Sequence, residues 1–237
     1  MVADIEKALK YPLNFKPLFI LGILFLITLA ASLIPAFFLS PRTGAGSQPD
    51  IYTPLFAVYF VVLLAVLVFM FTLLSGYMVS VSKSIIAGNL EKAPEITGIG
   101  SMLVNGLKFI VIALVYAVPP SVFMLLTIAI LKIWGLLLMF AYFPLFYVFH
   151  IASAHLAYTG SLKKALDIPR IYSLIFRNPK GFILGFFFYF VATIVYSFAG
   201  ILIVTYPFLI VACYVVGQYI FTIFYMEASG LIEENKL

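Results

Sequence analysis

The chain has 237 residues, 65% of them hydrophobic and only 10% charged, where a soluble domain carries roughly 45–50% and about 25%. So much apolar surface exceeds what the remaining polar groups can cover in water, whereas lipid accepts it on the periphery, and a water-soluble globule is excluded. The formal charge of +5 comes from basic residues scattered between apolar runs, without the contiguous basic face that nucleic acid needs, and the single Cys213 excludes a disulfide framework.

Roughly 20 residues at about 1.5 Å each cross a hydrocarbon core of about 30 Å. Six runs of that order follow one another. From Asp4 to Leu13, Ile5, Ala8, Leu9 and Pro12 face away from Lys7 and Lys10, the pattern of a short amphipathic helix. Leu18 to Leu39 is the first span; it is too long for a signal-peptide core and has no small-x-small cleavage site, so it is expected to be retained. Pro41 to Thr53, with its prolines, glycines and polar residues, is the main loop on the far side. The second span runs from Leu55 to Val81. After the connection Ala87 to Gly100, the spacing of Ile99, Met102, Leu103 and Leu107 predicts another interfacial helix over Ile96 to Leu107.

The third span, Phe109 to Leu131, and the fourth, Gly135 to Tyr158, are separated only by Lys132, Ile133 and Trp134, which requires a tight turn. Thr159 to Lys180 places Lys163, Asp167, Arg170 and Arg177 on one helical face and Leu162, Leu166, Pro169, Tyr172 and Phe176 on another. This predicts an interfacial helix bent at Pro169. The fifth span, Gly181 to Val204, turns through Thr205, Tyr206 and Pro207 into the sixth, Phe208 to Met226.

Orientation follows from lysine and arginine, which stay in cytoplasmic loops. Lys7, Lys10, Lys16, Lys83, Lys92, Lys108, Lys163, Lys164, Arg170, Arg177, Lys180 and Lys236 fall on one side and only Arg42 and Lys132 on the other. The expectation is a cell-membrane protein with both termini cytoplasmic. The fold class is all-α: one polytopic transmembrane bundle over 1–237, with six spans arranged as three hairpin repeats, each preceded by an amphipathic interfacial helix. The units lie near 4–81, 91–158 and 161–229 and share one orientation, so an axis along the membrane normal would relate them.

Several short motifs resemble one family. Gly76-Tyr77 closes the second span; Ile85-Ile86-Ala87-Gly88, Ala93-Pro94-Glu95 and Asn105-Gly106-Leu107-Lys108 follow; Gly217-Gln218 and Tyr225 stand near the end. With these the chain resembles, over almost its whole length, the membrane proteins of domain-of-unknown-function family 4013. It departs from the family's pattern in lacking the aromatic and acidic residues that commonly follow the Pro94-Glu95 position. The resemblance implies a polytopic helical fold of about this length and carries over no activity, cofactor or functional residue.

Catalytic chemistry finds no foothold: no nucleophile elbow, zinc-protease, P-loop or dinucleotide fingerprint occurs, and the nine acidic residues stand at interfaces or in loops. His150 and His155, five residues apart on one helix, point about 140° from each other and do not converge on one ion. No metal or cofactor is expected. The polar residues best placed to line a cavity are Gln218, His150 and Asn105, but such groups more often hydrogen-bond between helices. Gln218 is the sharpest case because an amide buried without partners is costly. The prolines at 35, 119, 120, 144 and 207 are potential helix breaks, and Pro119-Pro120, in mid-span, predicts a kink beside which a solute could sit. Gly181 and Gly185 form a GxxxG close-packing signal. Lys163, Lys164, Arg170, Arg177 and Lys180 are expected to contact lipid headgroups, with anionic lipid the main partner alongside a protein partner or second copy. The favoured function is a non-enzymatic structural, assembly or accessory membrane component. The alternatives are a transporter or channel for a small neutral or lipophilic solute, and then an enzyme acting on lipid.

Overall fold

A computed structural model describes residues 5–13, 15–38, 52–199 and 205–231, and among them every regular element is helical. The loop predicted from Pro41 lies outside the described residues up to position 51, as do Asp4, Arg42, Lys236 and the end of the fifth span at 200–204.

The elements are α1 (Ile5–Lys10), a 3-10 turn (Tyr11–Leu13), α2 (Phe15–Phe38), α3 (Tyr52–Ile86), α4 (Ile99–Leu131), α5 (Ile133–Tyr142), a 3-10 segment (Phe143–Tyr147), α6 (Val148–Thr159), α7 (Leu162–Ala165), α8 (Ile168–Arg177), α9 (Pro179–Ala199) and α10 (Tyr206–Ala228). Four stretches among the described residues are long and apolar enough to cross a membrane: Ala57–Ile86, Ile99–Leu131, Pro179–Phe198 and Tyr206–Ala228. Glu6–Leu13 with Lys16–Ser32 joins them as a fifth if the 69° bend between its two parts belongs to one span.

The structure places several breaks differently from the sequence expectation. The fourth predicted span is not one helix: α5 stops at Tyr142 and Phe143–Tyr147 tightens to 3-10 before α6. Pro144, which has no N–H to continue the ladder, stands at the first turn of that segment. Conversely, Pro119 and Pro120 lie inside an α4 that runs unbroken from Ile99 to Leu131. The separate helix expected over Ile96 to Leu107 does not form; from Ile99 onward these residues are the first turns of α4, because the breakers Pro94 and Gly98 all precede them. In the 159–180 connection the break falls at Leu166–Asp167, not at Pro169. The Asp167 carboxylate caps α8 by accepting the Arg170 N–H at 3.2 Å, which leaves Pro169 in the first helical turn, where a missing N–H costs nothing. The α4–α5 turn is as tight as expected and sets Lys132 at a φ of 50°, an unusual conformation for a side chain with a β-carbon.

α10 is the axis of the bundle, with every residue from Val215 to Tyr225 buried. α6 is nearly as enclosed, burying seven of its residues from Val148 to Leu156. α3 changes character along its length: Val58 through Phe69 is largely exposed, while Thr72 through Val79 is buried. Where α3 enters the core it is clasped to α4. A β-carbon on Gly76 would overlap the Met102 carbonyl, and one on Gly106 would overlap the Thr72 carbonyl, so the two backbones touch at both levels.

The N-terminal segment packs on the bundle. Ala8 and Tyr11 are fully buried, and the Tyr11 ring lies 4.6 Å from that of Tyr219 on α10. The Tyr196 hydroxyl donates to the Leu9 carbonyl at 2.9 Å. The apolar side of α1 is therefore taken up largely by protein.

Candidate functional site: a buried polar hub on the central helix

Gln218 projects from the middle of α10 and is completely buried, together with Ser82 of α3, His150 of α6 and Thr222 one turn further along α10. Its amide nitrogen donates to the Ser82 hydroxyl at 2.6 Å and to the His150 carbonyl at 3.2 Å. Its amide oxygen stands 2.8 Å from His150 Nδ1. Since a carbonyl can only accept, the His150 carbonyl fixes which end of the amide faces it; the oxygen then faces the ring, and Nδ1 must carry the proton. Ser82 and Thr222 close the circuit with hydroxyls 2.9 Å apart, and Thr222 donates to the Gln218 carbonyl at 2.6 Å. One side chain thus ties α3, α6 and α10 together.

Aromatic rings hold the imidazole. His150 lies nearly parallel to Tyr147 and Phe221, with centroids 6.2 and 5.5 Å away, and meets Tyr189 edge-on. Gly217 lets Tyr189 lie directly against the α10 backbone, because a β-carbon there would strike its ring. Five residues further along α6, His155 Nδ1 and the Tyr225 hydroxyl are 2.9 Å apart. The two histidines therefore serve different partners.

The structure joins Gln218 and His150 in one hub and leaves the other three candidates out of it. Asn105 is half-buried on α4 beside the α3 clasp, Pro119 faces outward, and Pro120 is buried. Ser82 and Thr222 were not singled out from sequence, since a serine or threonine in an apolar helix ordinarily bonds to its own preceding turn. The GxxxG pair also divides: Gly185 faces Ile220 of α10, but Gly181 packs on Asn178, which caps its own helix.

Lys163, Lys164, Arg170, Arg177 and Lys180 are all exposed. Beside them α8 buries Ile171 and Leu174 and leaves Phe176 79% exposed. Two clefts stand out among the described residues. A cleft of about 890 Å³ lies between α1 and the connection after α3, lined by Lys7, Lys10, Ser84 and residues 88–95. A smaller one of about 220 Å³ lies between α9 and α10, lined by Tyr189, Tyr196, Tyr206, Tyr214, Cys213 and their neighbours. None of Gln218, His150, Asn105, Pro119 and Pro120 lines either cleft.

Long apolar helices around a core in which Gln218, His150, Ser82 and Thr222 hydrogen-bond across three of them define a helical membrane protein. Within that class the family described as "Protein of unknown function (DUF4013)" matches residues 59–205, more than half of the chain, and the chain belongs to it, as its motifs led one to expect. No curated protein and no solved structure matches the chain.

Proposed function

We propose that the protein is a non-enzymatic component of the cell membrane, of structural, assembly or accessory kind. In this reading it crosses six times, as three consecutive hairpins near 4–81, 91–158 and 161–229, with α2 the first crossing and α5 to α6 a broken fourth. Both termini lie in the cytoplasm, and Lys163, Lys164, Arg170, Arg177 and Lys180 rest on anionic headgroups with Phe176 inserted beside them. The observation that carries the reading is the closure of the Gln218 hub. The side chains of Gln218, His150, Ser82 and Thr222 hydrogen-bond to one another across three helices, so their polar atoms are engaged with protein instead of being turned toward a solute. The five exposed basic residues, next to an exposed phenylalanine, fit a helix lying at a charged membrane surface.

The test is purified protein in liposomes loaded with small neutral solutes. The expected result is flux no greater than in protein-free vesicles, together with a stoichiometric protein partner recovered from gently solubilised membranes. Solute-selective flux that disappears on replacing Gln218, or Pro119 and Pro120, would overturn the reading in favour of a transporter.

A further inference from the structure

We infer that the cleft between α9 and α10 binds the uncharged, carbonyl-bearing headgroup of a lipid whose tail stays in the bilayer. The inference goes beyond the function proposed above and depends on neither its orientation nor its passive role.

The cleft is built from two facing helix sides. On α9, Tyr189, Thr193, Tyr196 and Ser197 fall at helical spacing and form a hydroxyl-bearing strip on an otherwise phenylalanine-rich helix. On α10, Tyr206, Cys213 and Tyr214 answer them at the same spacing. At one end glycines let the helices close: Gly185 faces Ile220, and Tyr189 lies against Gly217. From Tyr189 toward Tyr206 tyrosines take over the facing positions, and a space of about 220 Å³ remains. Its mouth is open, since Ser197 and Tyr206 are both exposed.

The lining offers hydroxyls and aromatic rings without charge. Among the described residues that line it none is acidic, basic or a histidine, so an ion entering the cleft would lose hydration and gain no counter-charge. Two of the hydroxyls are already engaged: Thr193 donates to the Tyr189 carbonyl and Tyr196 to the Leu9 carbonyl, each at 2.9 Å. The Tyr214 hydroxyl is different. Tyr214 stands near the middle of α10, away from the helix ends where water is at hand, and its hydroxyl has no acceptor among the described residues. A phenol O–H inside an apolar span needs one. A bound carbonyl, which accepts and never donates, supplies it, and Tyr206 at the mouth offers a second donor. The space is smaller than the roughly 300–1,000 Å³ of sites that enclose a whole ligand, so it takes a headgroup and leaves the tail in lipid. The ester carbonyls of an acylglycerol and the ring carbonyls of a prenylated quinone share this chemistry.

The experiment follows the thermal unfolding midpoint of the full chain in detergent against increasing dioctanoylglycerol or decylubiquinone, with the carbonyl-free dioctylglycerol ether and decylbenzene as their controls. The expected result is a saturable rise with at least one carbonyl ligand and none with its control; the ligand that acts identifies an ester or a ring as the source of the carbonyl. Tyr214→Phe, which keeps the ring and removes the donor, should raise the Kd about three- to tenfold. Cys213→Leu, which fills the cleft, should raise it as well, and Tyr158→Phe, at the far end of α6, should leave it unchanged. A rise that the controls reproduce, no saturable rise with either ligand, or an unchanged Kd in both Tyr214→Phe and Cys213→Leu would overturn the inference. If Tyr214→Phe does not fold, the exposed Tyr206→Phe takes its place beside Cys213→Leu: weaker binding in either supports the site, and no change in both refutes it.

Discussion

Gln218 shows how one buried amide constrains its surroundings. Replacing it with leucine strips a partner from Ser82, from His150 Nδ1 and from the His150 carbonyl at once, and each orphaned buried group costs about 1–3 kcal/mol where it finds no substitute. Gln218→Leu is therefore expected to lower the unfolding midpoint in detergent clearly. His150→Phe should cost less, because a phenyl ring retains the contacts with Tyr147 and Phe221. Since the two residues share a bond, the double variant should lose less stability than the sum of the single ones, and strict additivity in a double-mutant cycle would show that the hub is not a unit. This much of the site was legible in the sequence: an amide and an imidazole in apolar helices must find partners, and they found each other. Ser82 and Thr222 were not, because their hydroxyls are small enough to be satisfied within one helix, as Thr222 partly is.

At the scale of elements, Gly76 and Gly106 hold α3 and α4 in contact. An alanine at either position meets a backbone carbonyl rather than a side chain that can swing away, so the helices must separate. The cost belongs at the upper end of the ~1–3 kcal/mol typical of overpacking. Gly88, by contrast, has open space around it and only a positive φ of 93° to lose, so Gly88→Ala should cost about 1–2 kcal/mol of backbone strain and leave the α3–α4 pairing intact. Thermal unfolding of the three variants, with cross-linking between α3 and α4, separates these outcomes; equal effects would argue against the clasp. Both glycines are visible in the sequence, yet nothing in their separation along the chain says that they meet. The GxxxG spacing of Gly181 and Gly185 is visible too, and only Gly185 serves a neighbouring helix. The prolines teach the same lesson. Pro144 stands where the helix changes to 3-10, while Pro119 and Pro120 are accommodated within α4. Residue type marks where a hydrogen bond is missing, and packing decides what the chain does about it.

At the scale of the whole molecule, the apolar runs made a membrane fold legible from composition, and the order of the helices follows them closely. The enclosure of α10 was not legible, since a helix facing protein and one facing lipid are equally apolar. Orientation is open to direct measurement. With Cys213→Ser as background, Lys164→Cys is expected to resist an impermeant maleimide in intact cells and to react after permeabilisation, as a cytoplasmic position requires; labelling from outside would reverse the assignment.

The bonds made by the N-terminal segment carry a consequence for biogenesis. Leu9 is held by Tyr196 and Tyr11 rests on Tyr219, residues separated from them by most of the polypeptide. The segment around Tyr11 is made well before α9 and α10 and must therefore wait for both before it can dock. Until then Leu9 and Tyr11 lack those two contacts, so closure of this segment onto α9 and α10 comes late in the assembly of the bundle.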